Sequence, residues 1–281
     1  MPTTPSPLRY PGGKTTYAEM ISWIIQNNDL SGCSYAEPFA GGAGAAITLL
    51  LKEQVKEIWL NDLDPAIYSF WRAIIEHTDE FLCRLNKTPI TVSEWRKQKE
   101  IYIEKRADIL SLGFATFFLN RCNRSGILLA NPIGGLKQDG AHKIDARFKK
   151  KDLAIKIRLI AYQKERIHLF NLDALQFIKE LKKTKQKMLV YFDPPYYQKG
   201  ELLYLNHYGY EDHKRLCRQI VKCQLPWLLS YDDQPAIAEL YSRVQTYRKN
   251  LRYSVATPSI GRELIISDLQ MPEYLEMIVK G

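Results

Sequence analysis

Residues 33–62 read CSYAEPFAGGAGAAITLLLKEQVKEIWLND. The short apolar segment Cys33–Glu37 has the length of a buried strand, and Pro38–Gly44 is a tight, glycine-rich turn. Ala45–Leu51 restarts at helical spacing, and Val55–Leu60 is a second strand that ends on Asn61-Asp62. Strand, glycine-rich turn, helix, strand and acid are the opening of a doubly wound α/β domain. Glycines in such a turn let the backbone approach a ligand closely. The complete GxGxxG of a dinucleotide site is absent, because Ile47 stands where its third glycine belongs. Asp62, about 20 residues past Gly42, is placed to bond both hydroxyls of a ribose. The pattern therefore keeps a nucleoside ligand and argues against a pyrophosphate.

On the N-terminal side, apolar residues from Lys14 to about Asn28 recur at helical spacing. On the C-terminal side, Pro65 suits the first turn of a helix running through Trp71 to Glu76. The alternation then stops. Residues 78–120 predict amphipathic helices around Trp95–Tyr102 and Ile109–Leu119, residues 121–148 a polar loop, and Lys151–Gln163 a basic helix. It returns with strands at Arg166–Phe170, Met188–Phe192 and Trp227–Ser230, and helices at Ala174–Leu181, His213–Lys222 and Pro235–Leu240. Val244–Tyr247 and Leu264–Ser267 predict two last strands flanking a loop. The expected organisation is one α/β domain in two halves, 1–77 and 166–281, interrupted by a helical insert at 78–165.

The chain has 281 residues, 46% hydrophobic and 25% charged, enough for a full-sized core. No apolar leader opens it and no run approaches the roughly 18 apolar residues of a membrane helix, so the expectation is a cytoplasmic protein without a membrane. Cys33, Cys83, Cys122, Cys217 and Cys223 are scattered and odd in number, and they read as reduced thiols rather than a zinc or disulfide framework. The net charge of +9 is unevenly spread: residues 86–168 carry 18 basic and 8 acidic side chains, whereas residues 1–85 carry 6 and 10. A basic block bracketed by aromatics points to a polyanionic partner.

The strongest chemical signal is Asp193-Pro194-Pro195-Tyr196, directly after the apolar strand Met188–Phe192. Two prolines remove two N–H donors and stiffen the turn, leaving the Asp193 carboxylate and the Pro194 carbonyl as acceptors. That pair suits a substrate amino group with two hydrogens to donate. An aromatic amine is a poor nucleophile because its lone pair is delocalised into the ring. Accepting both hydrogens at tetrahedral geometry localises the pair and aims it at an electrophile. Tyr196 offers a face on which a base can stack. Gly13-Lys14-Thr15 is not a P-loop, since Leu8 stands where its first glycine belongs. His77, His142 and His168 have no partner pattern. His207 and His213 flank a tyrosine-rich stretch, Tyr197, Tyr204, Tyr208 and Tyr210, that reads as a lid or as ordinary packing. No metal-ligand cluster is present, and the chemistry needs none.

These motifs, in this order, resemble the Dam-type DNA adenine (adenine-N6) methyltransferases over nearly the whole chain. Arg9-Tyr10-Pro11-Gly12-Gly13-Lys14 resembles that family's RYxGGK segment, Glu37-Pro38-Phe39-Ala40-Gly41-Gly42-Ala43-Gly44 its (D/E)PFxGxG turn, and Asn61-Asp62 its ribose acid. Asp193–Tyr196 resembles its catalytic tetrapeptide, Phe118-Leu119-Asn120-Arg121 the start of its DNA-contacting loop, and Leu229-Ser230-Tyr231-Asp232 the motif flanking the target base. The resemblance implies a Rossmann-like S-adenosylmethionine-dependent methyltransferase domain with an inserted helical DNA-recognition domain. It implies that Tyr10, Lys14, Glu37, Pro38, Phe39 and Gly41 bind the methionine end of S-adenosylmethionine. It also implies that Asp62 takes the ribose, and that Asp173 and Ala174 take the cofactor's adenine. Asp193, Pro194, Pro195 and Tyr196 then hold an adenine extruded from double-stranded DNA, with Asn120, Arg121, Arg124, Ser125 and Asn131 on the DNA. The enzyme is expected to act as a monomer, and a restriction or defence partner is compatible with the family. One departure concerns specificity. Family members that read GATC carry an arginine where Leu129 stands here, with Arg124 as an offset candidate. Two rivals stay open: the same chemistry on cytosine, RNA or a glutamine amide, and a catalytically silent DNA-binding relative.

Overall fold

The computed structural model describes residues 4–9, 14–105, 107–197, 208–252 and 260–278. Eight strands form one sheet: β1 (Ser34–Glu37), β2 (Ile58–Asn61), β3 (Ile167–Phe170), β4 (Met188–Phe192), β5 (Trp227–Asp232), β6 (Thr246–Arg252), β7 (Ile260–Ile266) and β8 (Glu276–Met277). Their order is β3-β2-β1-β4-β5-β7-β6-β8. The first five are parallel, and β7 runs antiparallel to both β5 and β6. This is a Rossmann-like α/β sheet. β1 and β4, both fully buried in the manner of central parallel strands, meet where the winding reverses. Ligands of open α/β sheets lie in the crevice beyond the C-terminal ends of such strands.

The helices before the insert are α1 (Ala18–Asn27), α2 (Gly44–Leu51) and α3 (Pro65–Glu76). The insert holds α4 (Thr78–Lys87), α5 (Val92–Glu104), α6 (Ile109–Cys122) and α7 (Lys150–Ala161). The second half adds α8 (Ala174–Lys183), α9 (Tyr210–Val221) and α10 (Pro235–Leu240). Helix α3 starts as its sequence dictates: Asp64 accepts from the Ala66 amide at 3.0 Å and Pro65 takes the first helical position. One buried cluster joins α1, α2 and α3 to α4–α7, and a second joins α8, α9 and α10 to the other face of the sheet.

Helix α6 departs from the sequence expectation. The spacing predicted an amphipathic helix, but Phe114, Phe117, Phe118 and most other residues of α6 are buried all round, because α6 is enclosed by α3, α5 and α4. Phe117 stacks on Phe70 of α3 at 5.9 Å and meets Phe148 edge-on at 5.4 Å. The short strand β8 was also not expected. Its two exposed residues carry no alternation to read.

The α3–α6 contact depends on Gly113. A Cβ there would lie 2.4 Å from the Ser69 carbonyl oxygen and 2.9 Å from the Ala73 methyl. Alanine gains about 0.5–1 kcal/mol of helix propensity over glycine, but forcing these helices apart costs about 1–3 kcal/mol. Gly113→Ala should therefore lower the thermal midpoint. A midpoint equal to or above that of the unchanged protein would show that the two helices are not in this close contact.

Candidate active site

The turn after β1 is built by its neighbours. The Ala40 amide donates to the Asn61 carbonyl at 2.9 Å, and the Asn61 side chain donates to the Pro38 and Leu172 carbonyls, both at 3.0 Å. Asn61 also accepts from the Leu172 amide at 2.9 Å, so one amide side chain ties three loops together. Gly41 takes a positive φ of 45°, and Trp71 donates to its carbonyl at 3.0 Å. Asp62 accepts from the Gly41 amide through one oxygen and from the Asp64 amide through the other, each at 2.9 Å. Burial pushes the Asp62 carboxyl up to about 6, against these two amide bonds. Each oxygen keeps a second lone pair for a ligand.

Glu37 is buried at the end of β1 and accepts from the Tyr35 hydroxyl at 3.0 Å and the Ala46 amide at 3.1 Å. Burial pushes its carboxyl up to about 8. These groups line a cavity of about 580 Å³, within the range of small-molecule sites. Lys14, Glu37, Pro38, Phe39, Gly41, Asp62, Ala174, Asp193 and Pro195 of the expected residues stand on its wall, with Arg121 and Ser125 at the insert side. Asp173 does not. It caps α8, accepting from the Leu175 amide at 2.9 Å. Pro194, Tyr196, Asn120, Arg124 and Asn131 are likewise off the wall, and Tyr10, Tyr204 and His207 lie outside the described residues.

Asp193 follows β4 and is held on one side only. Its Oδ1 accepts from the Ser230 hydroxyl at 2.9 Å and lies 3.3 Å from Lys14 Nζ. No described residue bonds to Oδ2. Ser230 in turn pairs with the Tyr191 hydroxyl at 2.7 Å, and Asp232 accepts from the Tyr197 amide at 2.9 Å. The Ser230 and Asp232 pair of the strand β5 motif therefore fixes the 193–197 turn. Burial raises the Asp193 carboxyl above the ordinary range, while Lys14 opposes that rise.

Lys14 is buried, which by itself disfavours its charge, yet Asp193 and Glu263 outweigh burial and keep it an ammonium. Glu263 on β7 was not among the expected residues. It grips Lys14 through both oxygens, at 3.0 and 3.1 Å, and also accepts from the hydroxyls of Tyr17 and Tyr196. Lys14 donates to the Tyr196 hydroxyl at 2.6 Å as well. The available signal was weak: an acid that follows Arg262 and directly precedes the apolar Leu264-Ile265-Ile266 of a strand.

Two expected DNA contacts have structural occupations. Asn120 is 1% exposed, accepting from the Arg9 amide and donating to the Arg9 and Gly126 carbonyls, so its side chain is consumed in holding the loop to the N-terminal arm. Arg121 reaches back to the Arg147 carbonyl at 2.8 Å, and burial beside Arg9 and Arg147 pulls its guanidinium down to about 10. Arg124, Ser125 and Asn131 are exposed on the same loop. His213 is buried, not part of an open lid, with Nδ1 2.7 Å from the Tyr231 hydroxyl and rings of Tyr197 and Tyr208 beside it. His168 finds a partner in Glu57 at 3.0 Å.

The model of the D12 class N6 adenine-specific DNA methyltransferases matches residues 10–255 of the chain. Among solved structures, the rRNA methyltransferase aviRa from Streptomyces viridochromogenes is similar at a TM-score of 0.38 and 13% identity, over 92% of this chain and 86% of that one. No curated protein matches. With the family match spanning both halves of the sheet and the insert between them, the chain belongs to the D12 class N6 adenine-specific DNA methyltransferases, enzymes that move a methyl group from a methyl donor onto the amino group of adenine in DNA.

Proposed function

We propose that the cavity binds S-adenosylmethionine and that Asp193 receives an adenine extruded from the duplex. The observation that carries this is the one-sided hold on Asp193: Ser230 and Lys14 occupy Oδ1, which leaves Oδ2 for the substrate. The cavity fits the cofactor in chemistry as well as size. Asp62 has free lone pairs for ribose hydroxyls, Phe39 and Ala174 offer apolar surface to a base, and the Gly41 turn admits close backbone approach. Pro38 shapes that turn. Asp173 would reach the cofactor's adenine amine with the oxygen not used in capping α8. When bound, the cofactor supplies an electrophilic methyl group on a sulfonium.

The target amine donates one hydrogen to Asp193 Oδ2 and the other to the Pro194 carbonyl, which localises its lone pair toward the methyl. The nitrogen–carbon bond forms as the sulfur–carbon bond breaks, and the surplus proton passes to the Asp193 carboxylate. A buried carboxylate with a raised pKa suits that last step. Pro195 stiffens the turn. Tyr196, fixed by its hydroxyl, presents a ring that cannot swing away from the base. Adenine's amine is paired inside duplex DNA, so the base must leave the stack at a cost of a few kcal/mol. The insert at 78–165, in the basic third of the chain, would supply that binding through phosphate contacts and wedging residues. Ser125 beside the cavity, with Arg124 and Asn131 exposed on the same loop, would contact the DNA, while Asn120 and Arg121 serve by fixing the loop.

Three measurements test these assignments. Asp193→Ala should cut methyl transfer to DNA by at least about a hundredfold, the scale of losing a positioned electrostatic group, with S-adenosylhomocysteine binding retained. Near-normal turnover would sink the mechanism. Asp62→Ala should weaken S-adenosylhomocysteine by about 1–3 kcal/mol, the cost of leaving partners unpaired. Ribose hydroxyls bond best to the ionised carboxylate, so affinity of the unchanged enzyme should also fall as pH drops through about 6. Calorimetry that finds neither effect rejects this ribose site.

Specificity forms the third test. Leu129 is 51% exposed and has no side-chain donor, while Arg124 can make a bidentate contact with guanine. The methylated site should therefore not be simply GATC, and Arg124→Ala should relax one position of it. Sequencing that finds modified adenine only in GATC would overturn the first claim, and an Arg124→Ala enzyme with an unchanged site and uniformly weaker binding would show that Arg124 grips a phosphate instead.

A further inference from the structure

We propose that Glu263 is a positioning residue for methyl transfer: by gripping Lys14 through both of its oxygens, it stops the ammonium from closing on Asp193 and so keeps the carboxylate free to accept the substrate amine. The proposal rests on the reading of Asp193 as the amine's acceptor. Its foundation is geometric. Glu263 contacts Lys14 with both oxygens at 3.0 and 3.1 Å, whereas Asp193 contacts it with one oxygen at 3.3 Å. Glu263 is 1% exposed and Lys14 is 8% exposed, so water cannot share this work.

The position of Glu263 follows from the antiparallel strand. Glu263 of β7 pairs with Asp232 of β5 on one side and with Lys249 of β6 on the other. That register carries an acid from near the end of the chain to the edge of the sheet where β4 and β5 end. Lys14 comes from the opposite end of the chain. Burial in a low dielectric makes both attractions strong, and an ammonium with one carboxylate alone would bind it tightly. Tight pairing would divert the lone pairs of Asp193 from the substrate and lower its basicity. A second carboxylate on the same ammonium divides the attraction.

The groups around this centre are of both signs. Facing Glu263 are Lys14 and Tyr17 from the N-terminal segment, Tyr196 after β4, and Lys249 from β6, whose Nζ sits 3.7 Å from the Tyr17 ring centroid. Facing Asp193 are Lys14, Ser230, Glu263, and, through longer electrostatic reach, Glu37, Tyr35, Tyr191, Tyr196 and Tyr231. Glu263 raises the Asp193 carboxyl and Lys14 lowers it. Burial lowers Lys249, while Glu263 opposes that fall, so Lys249 supplies a second positive charge to the carboxylates.

Glu263→Gln keeps the size of the side chain and one of the two acceptor oxygens that Tyr17 and Tyr196 use, but removes its charge. Lys14 then belongs to Asp193 alone. The expected result is a turnover lower by roughly ten- to hundredfold, the scale of misplacing a reacting group, with S-adenosylhomocysteine affinity and thermal midpoint close to the unchanged enzyme. The acid limb of the pH–rate profile should move to lower pH, because Asp193 loses the negative neighbour that raised it. A merely structural lesion would depress the rate at every pH and leave the limb in place, and that outcome overturns the proposal. Removing one partner of a buried pair can prevent folding, so a second comparison uses Lys14→Met with and without Glu263→Gln. Because Glu263 acts through Lys14, the double variant should turn over as Lys14→Met does. A further tenfold loss in the double variant would also overturn it. If Asp193→Ala is inactive while Glu263→Gln is normal, only this proposal fails, whereas an active Asp193→Ala removes the reading beneath it.

Discussion

The site depends on one buried ammonium. Lys14 Nζ lies between Asp193 and Glu263, with the Tyr196 hydroxyl at 2.6 Å and the Tyr17 ring at 4.8 Å. Desolvating a charge costs several kcal/mol unless partners surround it. Two carboxylates and an ammonium would leave a net negative centre, and the half-buried Lys249 offsets it. None of these four residues is close to another in sequence. Their meeting is a property of the strand order: β4 delivers Asp193, the reversed β7 delivers Glu263, and β6 delivers Lys249 from the neighbouring register position. Register rather than strand direction places the acid, since Glu263 is the middle residue of β7 and pairs with Asp232 at the end of β5.

Around that centre, side-chain amides replace regular structure wherever loops must be exact. Asn61 bridges the turns after β1 and β3, and Asn123 accepts from Trp95 at 2.6 Å while donating to the Ile127 and Leu128 carbonyls. An amide both donates and accepts, so it satisfies buried backbone groups of both kinds from one position. Such fully bonded networks fix a single loop conformation where apolar packing would permit several. The turns after β1 and β3 are held in this way by Asn61, and the loop after α6 by Asn120 with Asn123, while Ser230 and Asp232 hold the 193–197 turn through a hydroxyl and a carboxylate.

Much of this was legible in the sequence. The bounds of Met188–Phe192 and the start of the helix at Pro65 are legible to the residue, because a proline pair ends the strand and an Asp-Pro cap starts the helix. The Asp62 and Asp193 positions followed from strand ends, and the family match removes the cytosine, RNA and silent readings. What periodicity could not convey was burial on every side. Helix α6 alternates polar and apolar residues weakly, yet lies between other helices, so its Thr116 and Asn120 are interior. The same limit hid Glu263, whose partners lie 249 and 246 positions away in the chain. It also made Asn120 look like a surface contact, since only the folded arm at Arg9 reveals what the amide bonds.

The segment at Arg9 is tied by hydrogen bonds to the loop after α6. The Arg9 amide and carbonyl both bond the Asn120 side chain at 2.7 Å, and the Arg9 guanidinium donates to the Asn123 carbonyl at 3.0 Å. Gly126, at a φ of 78°, lies so close that a Cβ would fall 2.4 Å from the Arg9 carbonyl oxygen. Lys14 begins the next described segment. The loop that carries Arg124 and the ammonium that balances Asp193 are therefore anchored to one stretch of chain, Arg9 at one end and Lys14 at the other. The insert is not an appended module in this respect. Its α6 shares the buried core of α3, and its loop clasps Arg9 through Asn120.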